Sequence, residues 1–161
     1  MRALIRSALA TLALAAVSLN ALGASNEIAR AVTDDQLLQS TGLDPSQAEM
    51  RKPYSAAVVE TDDPPEFFDC VYVQTAKDLN LFSLEDGHLM QEVQLKLHNM
   101  DGVALQHMDR WAQLQIFSGD RVTALYIHRK GWIDSDETRR VYEWLLERGV
   151  RAREPRRWIG P

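Results

Sequence analysis

Four histidines, His88, His98, His107 and His128, and a single cysteine, Cys70, are the side chains with most scope for metal binding or acid–base work in this chain. An imidazole titrates near neutral pH and ligates metals through either nitrogen. The spacing supports neither role: there is no HExxH pair, and no second cysteine completes a metal knuckle. Cys70 stands in Phe67–Val73, FFDCVYV, a buried-strand pattern in which a thiol is a small apolar side chain with a raised pKa. Carboxylates are abundant, among them Asp62, Asp63, Glu66, Asp69, Glu85 and Asp86, but no pair is held at a catalytic spacing. No serine lies in a GxSxG elbow and no glycine loop could cradle a phosphate. The sequence therefore assigns no catalytic residue, no metal ligand and no cofactor.

Aromatic side chains are the better candidates, and Trp111, Tyr126, His128 and Trp158 are read as binding residues. The first three belong to Trp111–Trp132, WAQLQIFSGDRVTALYIHRKGW, where two strand-like runs flank Gly119-Asp120, a dipeptide suited to a two-residue hairpin loop. Pairing across that loop sets Ile116 opposite Thr123, Leu114 opposite Leu125 and Ala112 opposite Ile127 on an apolar core face. The other face carries Phe117 with Val122, Gln115 with Ala124, Gln113 with Tyr126 and Trp111 with His128. Trp158 sits in a tail, RAREPRRWIGP, beside Arg151, Arg153, Arg156 and Arg157, a composition that suits either an anionic surface or a tail hanging in solution. Pro155 and the lack of helical periodicity predict that this tail is extended.

The remaining elements must position those groups. Phe67–Val73 predicts a strand. Leu79–Met108 satisfies two periods, with Met90, Val93, Leu97 and Met100 as a helical stripe and Val93, Leu95 and Leu97 alternating as in a strand. Sorting of apolar from polar residues favours a hairpin across Met100-Asp101-Gly102, with Gly102 left-handed, Leu97 facing Leu105, Leu95 facing His107 and Lys96 facing Gln106. In that register His98 and His107 point to opposite faces and cannot share an ion. Asp134 or Ser135 caps a helix with Asp136 and Glu137 at its positive end, and Gly149 closes it. Its stripe of Thr138, Val141, Tyr142 and Leu145, broadened by Trp144 and Leu146, predicts packing on the sheet, over part of the aromatic face. The expected fold is α+β, a small antiparallel sheet of hairpins with a C-terminal helix packed on it.

Organisation along the chain follows from composition. Arg2 and Arg6 precede an apolar run from Ala8 to about Leu19, followed by Ala21, Gly23 and Ala24, which reads as a signal peptide over 1–23. The run is shorter than the roughly 20 apolar residues of a membrane span, so no transmembrane segment is expected after cleavage. Residues 24–65 read as a loosely ordered arm in which a short helix could start at Thr33-Asp34-Asp35, and Tyr54–Val59 suits either a short strand or a helical turn. Residues 66–150 read as the α+β domain and 151–161 as a basic tail.

Cleavage removes Arg2 and Arg6 and takes the formal charge from −5 to −7. An acidic chain of this kind argues against a general nucleic-acid partner. The charge is uneven, with 16 acidic and 6 basic residues from Ser25 to Arg110 but 7 acidic and 10 basic from Trp111 to Pro161. Export, small size, the absence of catalytic motifs and an aromatic face together predict a periplasmic or secreted interaction protein with a protein partner. An inhibitor, an immunity-type protein or an envelope assembly factor would fit. The alternatives are a small exported hydrolase using a histidine and a carboxylate, and a carrier of a small apolar ligand between sheet and helix. Oligomeric state is not encoded in any motif.

Overall fold

The computed structural model describes residues 35–36, 39, 55–60, 66–86, 88–129 and 132–159. The expected signal peptide over 1–23 and most of the expected arm lie outside these residues. Asp35, Gln36 and Gln39 are helical. Among the described residues eight strands follow: β1 (Ser55–Glu60), β2 (Glu66–Gln74), β3 (Asp78–Glu85), β4 (His88–Lys96), β5 (Gly102–Met108), β6 (Trp111–Ser118), β7 (Arg121–Arg129) and β8 (Trp132–Ile133). A 3-10 turn, Leu97–Asn99, leaves β4, and one helix, α1 (Ser135–Glu147), follows β8.

Every strand pairing is antiparallel, in the order β4-β3-β2-β1-β7-β6-β5, with the two residues of β8 added beside β7. The path divides into a four-stranded layer, β1 to β4, and a three-stranded layer, β5 to β7, joined where β1 pairs with β7. Both layers face one core. Cys70, Tyr72, Leu79, Leu81 and Leu95 from the first meet Val103, Leu114, Ile116, Leu125 and Ile127 from the second. Helix α1 closes this core with Val141, Trp144 and Leu145. Full burial of a side chain such as Leu145 contributes about 1.5–3 kcal/mol relative to leaving it in water. The fold is therefore the α+β arrangement expected, an antiparallel sheet with the C-terminal helix packed against it.

Helix α1 begins as its sequence requires. Asp134 is extended and its Oδ1 accepts from the Glu137 amide at 3.0 Å, satisfying one of the otherwise orphaned first-turn donors. Gly149, at φ +84°, ends the helix by donating to the Leu146 carbonyl at 2.9 Å, and Val150 donates back to Leu145 at 3.1 Å. Between β2 and the first turn of α1 lies a buried polar cluster. Tyr72 Oη donates to Glu137 Oε1 at 2.7 Å, and Arg140 holds the same carboxylate through Nε at 2.9 Å. A carboxylate in a closed core is tolerable because its oxygens are occupied in this way.

The β6–β7 hairpin has the expected register. Leu114 pairs with Leu125, Gln115 with Ala124, Ile116 with Thr123 and Phe117 with Val122, and Gly119 takes φ +57° in the loop. The hairpin expected across Met100-Asp101-Gly102 does not form. β4 is a strand, but it pairs with β3, while β5 pairs with β6, so the two supposed partners are opposite edges of the sheet. Their apolar residues sort alike because both strands face the same core. Gly102 is not left-handed either. It opens β5 opposite Phe117, and a Cβ there would lie 2.5 Å from the Arg153 side chain and 2.9 Å from the Arg151 carbonyl. Ser55–Glu60, placed in the arm by composition, is the central strand β1, so the sheet begins ahead of Glu66.

Candidate functional site

The expected binding residues divide between two places. On the outer face of the three-stranded layer, Tyr126 is 5% exposed and Trp158 meets it edge-on, with ring centroids 5.4 Å apart. The cover here is the carboxy-terminal segment, and α1 lies on the opposite, leucine-and-isoleucine face. That overturns the expectation that the helix would cover the aromatic face. The reason is geometric: after Gly149 the chain turns and pairs along β5, where the Val103 amide donates to the Arg151 carbonyl and the Arg153 amide to the Val103 carbonyl, both at 2.8 Å. It is then led across β6.

Two buried glutamines hold the segment down. Gln115 Oε1 accepts from the Arg156 amide at 2.8 Å, and Gln115 Nε2 donates to the Arg157 carbonyl at 3.1 Å and to Gln113 Oε1 at 2.9 Å. Gln113 in turn accepts from the Ile159 amide at 3.3 Å and donates to its carbonyl. A carboxamide offers both an acceptor and donors, so each glutamine substitutes for a strand's peptide group in bonding an extended chain. The Arg153 and Arg156 guanidiniums stand over the Phe117 ring, 4.6 and 5.6 Å from its centroid. Tyr126 Oη is buried beside Gln113, with no hydrogen bond of normal geometry among the described residues. Burial pushes the phenol well above its ordinary range, with Gln113 opposing the shift. His128 is also buried, and burial holds its imidazole below the usual 6.5.

The second place is the corner where the β5–β6 turn meets β8 and the start of α1. Here Trp111 is 37%, Met108 41% and Trp132 68% exposed. Asp109, at φ +53°, and Arg110 make the two-residue loop that sets Met108 opposite Trp111. Asp is one of the few non-glycine residues that adopts this conformation readily. Ser135 Oγ donates to the Arg110 carbonyl at 2.7 Å and so ties the loop to the helix start. An open groove of about 430 Å³ runs between Arg110, Trp132, Ile133, Asp134, Ser135 and Asp136. It continues past Trp111.

Of the four residues named from sequence, Tyr126 and Trp158 come together as a packed pair, His128 is enclosed nearby on β7, and Trp111 stands apart at the open corner. Trp132 was not among them. Its signal was slight: a large apolar residue between Gly131 and the helix cap, on a strand of only two residues. Cys70 is fully buried, and burial first, then Asp69 and Glu92, pushes its thiol well above the ordinary range. His98 and His107 lie on the 3-10 turn and on β5, both exposed. Among the described residues no three His, Cys, Asp or Glu side chains are grouped to hold a metal ion. No helix among them is long and apolar enough to cross a membrane.

No protein-family model matches the chain, and no curated protein does. Solved structures with a similar course include one of the Vav1 exchange factor concerned with its PH and C1 domains, at 11% identity and a TM-score of 0.44, covering 60% of this chain and 25% of that one. Vav1 inhibited by an allosteric inhibitor is matched at 15% identity and a TM-score of 0.49, over 89% of this chain and 38% of that one. The hSac2 domain of the human phosphoinositide phosphatase Sac2 is matched at 13% identity and 0.40, over 78% and 95%. The chain spans well under half the length of the two Vav1 structures. At these identities and TM-scores the likenesses carry no argument about ligand, partner or chemistry.

Proposed function

We propose that the protein is an exported, non-enzymatic interaction protein, periplasmic or secreted after loss of residues 1–23, and that it binds a protein partner through the Trp111–Trp132 corner. The observation that carries this reading is the exposure of two tryptophans along one groove, with exposed Met108 in register with one of them, in a chain whose other described tryptophans are covered or half covered. Tryptophan and arginine are the side chains most enriched at the energetic centres of protein interfaces, and Arg110 lines the groove together with both rings. The corner needs no folding on contact, because the Ser135–Arg110 bond and the Asp134 cap already hold its loop and helix start.

Affinity capture of tagged mature protein from an envelope extract tests the reading. A stoichiometric protein partner should be retained by the wild type and lost by Trp111→Ala/Trp132→Ala, with both proteins melting at similar temperatures. A partner held equally by the double variant would place the contact elsewhere. An intact mass that still includes Met1 to Gly23 in material from the envelope would remove the export part of the proposal.

A further inference from the structure

From Ser55 to Asp109 the chain carries 11 Asp and Glu but only two strong cations, Lys77 and Lys96. The fold brings both to one place. Lys77 is in the β2–β3 turn and Lys96 ends β4, where it pairs in register with Asp78, and the Leu97 amide donates to the Lys77 carbonyl at 2.9 Å. With Ala76, Asp78, Leu97 and His98 they line an open concavity of about 420 Å³. Lys77, Lys96 and His98 are all exposed, and among the described residues neither lysine is ion-paired.

Asp78, the one carboxylate in the lining, keeps its negative charge, but its oxygens are held by neutral donors and it forms no ion pair with either lysine among the described residues, which leaves the lining an excess of positive charge. Its Oδ1 accepts from Asn80 Nδ2 at 2.7 Å and from Thr75 Oγ1, and its Oδ2 accepts from Gln94 Nε2 at 3.0 Å. The turn is also stiff. Thr75 Oγ1 accepts from the amides of Lys77 and Asp78 at 3.2 and 3.1 Å, and the Thr75 amide donates to the Asp78 carbonyl at 2.9 Å. Leu97, packed against the main core, gives the concavity an apolar wall.

We propose that this concavity binds a phosphate group, with Lys77 and Lys96 as its charge partners, His98 as a further donor and Leu97 against the body of the molecule that bears it. Two ammonium groups with free donors suit a doubly charged oxyanion better than a single carboxylate does. Elsewhere in this acidic stretch an anion meets like charge, which confines binding to the one place where both lysines converge. The group could be carried by a free small molecule or by a lipid headgroup.

Isothermal and NMR titrations of the full chain with inorganic phosphate, and co-sedimentation with phosphatidylcholine vesicles containing phosphatidic acid, separate the two sources. The expected result is saturable binding in at least one arm, with Lys77, Lys96 and His98 perturbed, and an affinity lowered by about tenfold or more in Lys77→Gln/Lys96→Gln. Response to phosphate without sedimentation identifies a free ligand; lysine-dependent sedimentation identifies a headgroup. Arg151→Gln/Arg157→Gln, with the same change of charge on the carboxy-terminal segment, which does not line the concavity, should bind as the wild type does. No saturable binding in either arm, or an equal loss in that control, overturns the proposal. Trp132→Ala should leave phosphate binding unchanged, so failure at the corner and failure here are distinguishable.

Discussion

Two pairs of aromatics, Tyr126 with Trp158 and Trp111 with Trp132, are associated with the same two strands and have opposite fates. The first pair lies beneath or within the returning chain, where Gln113 and Gln115 bond the main chain of residues 156–159. The second lies at the corner of the β5–β6 turn and β8, where the described part of the segment covers Ile133 but leaves both rings exposed. Alternation along β6 and β7 cannot tell the two apart, because it specifies which face a residue occupies and not what lies over that face. The difference is made some 40 residues away in sequence, by the turn at Gly149 and the pairing of Ala152 with Val103. An aromatic face of a sheet is thus divided by one strap into a packed part and an available part.

The largest expected effect comes from the side of the hairpin common to both regions. Leu125→Ala removes a fully buried side chain from the main core and should cost about 2–5 kcal/mol in a denaturant melt. A loss under about 1 kcal/mol would mean that the inner face is not the core, and the comparison would lose its frame.

Trp158→Ala sharpens the contrast more selectively. Loss of the edge-on contact with Tyr126 and of the cover over Ala124 and Ile133 should cost about 1–3 kcal/mol. It should also make the Arg156 and Arg157 bonds accessible to trypsin before global unfolding. Unchanged stability together with unchanged proteolysis would show that the segment is not a structural cover.

His128 lies on β7 between the two regions, in register with Ile133 of β8. Its folded pKa is depressed by burial, so the neutral form is favoured in the native state. The associated stability is fully present above the unfolded value of 6.5 and is lost as pH falls from there through the lower folded value. A melt series from pH 8 to pH 5 should show that decline, and His128→Gln should flatten it whatever its own offset. An unchanged slope in the variant would assign the decline to other groups.

The smallest effect on stability is expected from Trp132→Ala, within about 0.5 kcal/mol of wild type, since the ring is 68% exposed. The same change should weaken partner binding by about tenfold or more. A large loss of stability would move Trp132 into the packed class.

What the sequence made legible was local. Gly119-Asp120 between alternating strands and the Asp134 cap ahead of an apolar stripe each carry their signal within a few residues, and both elements stand as expected. Partner choice was not legible. Leu95, Leu97 and Leu105 sort as though they faced one another, because β4 and β5 both address one core from opposite edges of the sheet. The strap was hidden for a related reason. Its sequence has no period of its own, and its hydrogen bonds come largely from Gln113 and Gln115, two amides whose presence on an otherwise aromatic face was the available clue. Trp132 escaped notice as a site residue because a two-residue strand has no pattern to place it.

Fluorine NMR of the chain labelled with 5-fluorotryptophan tests the division of the aromatic face most directly, through the shift of each resonance between H₂O and D₂O. Resonances are assigned by single Trp→Phe changes. The account predicts the largest solvent shift for Trp132, the next for Trp111, a smaller one for Trp158 and the smallest for Trp144, which is 8% exposed in the core beneath α1. Solvent shifts for Trp111 and Trp132 as small as that of Trp144 would contradict it, since the corner would then be packed and have no open face to offer a partner.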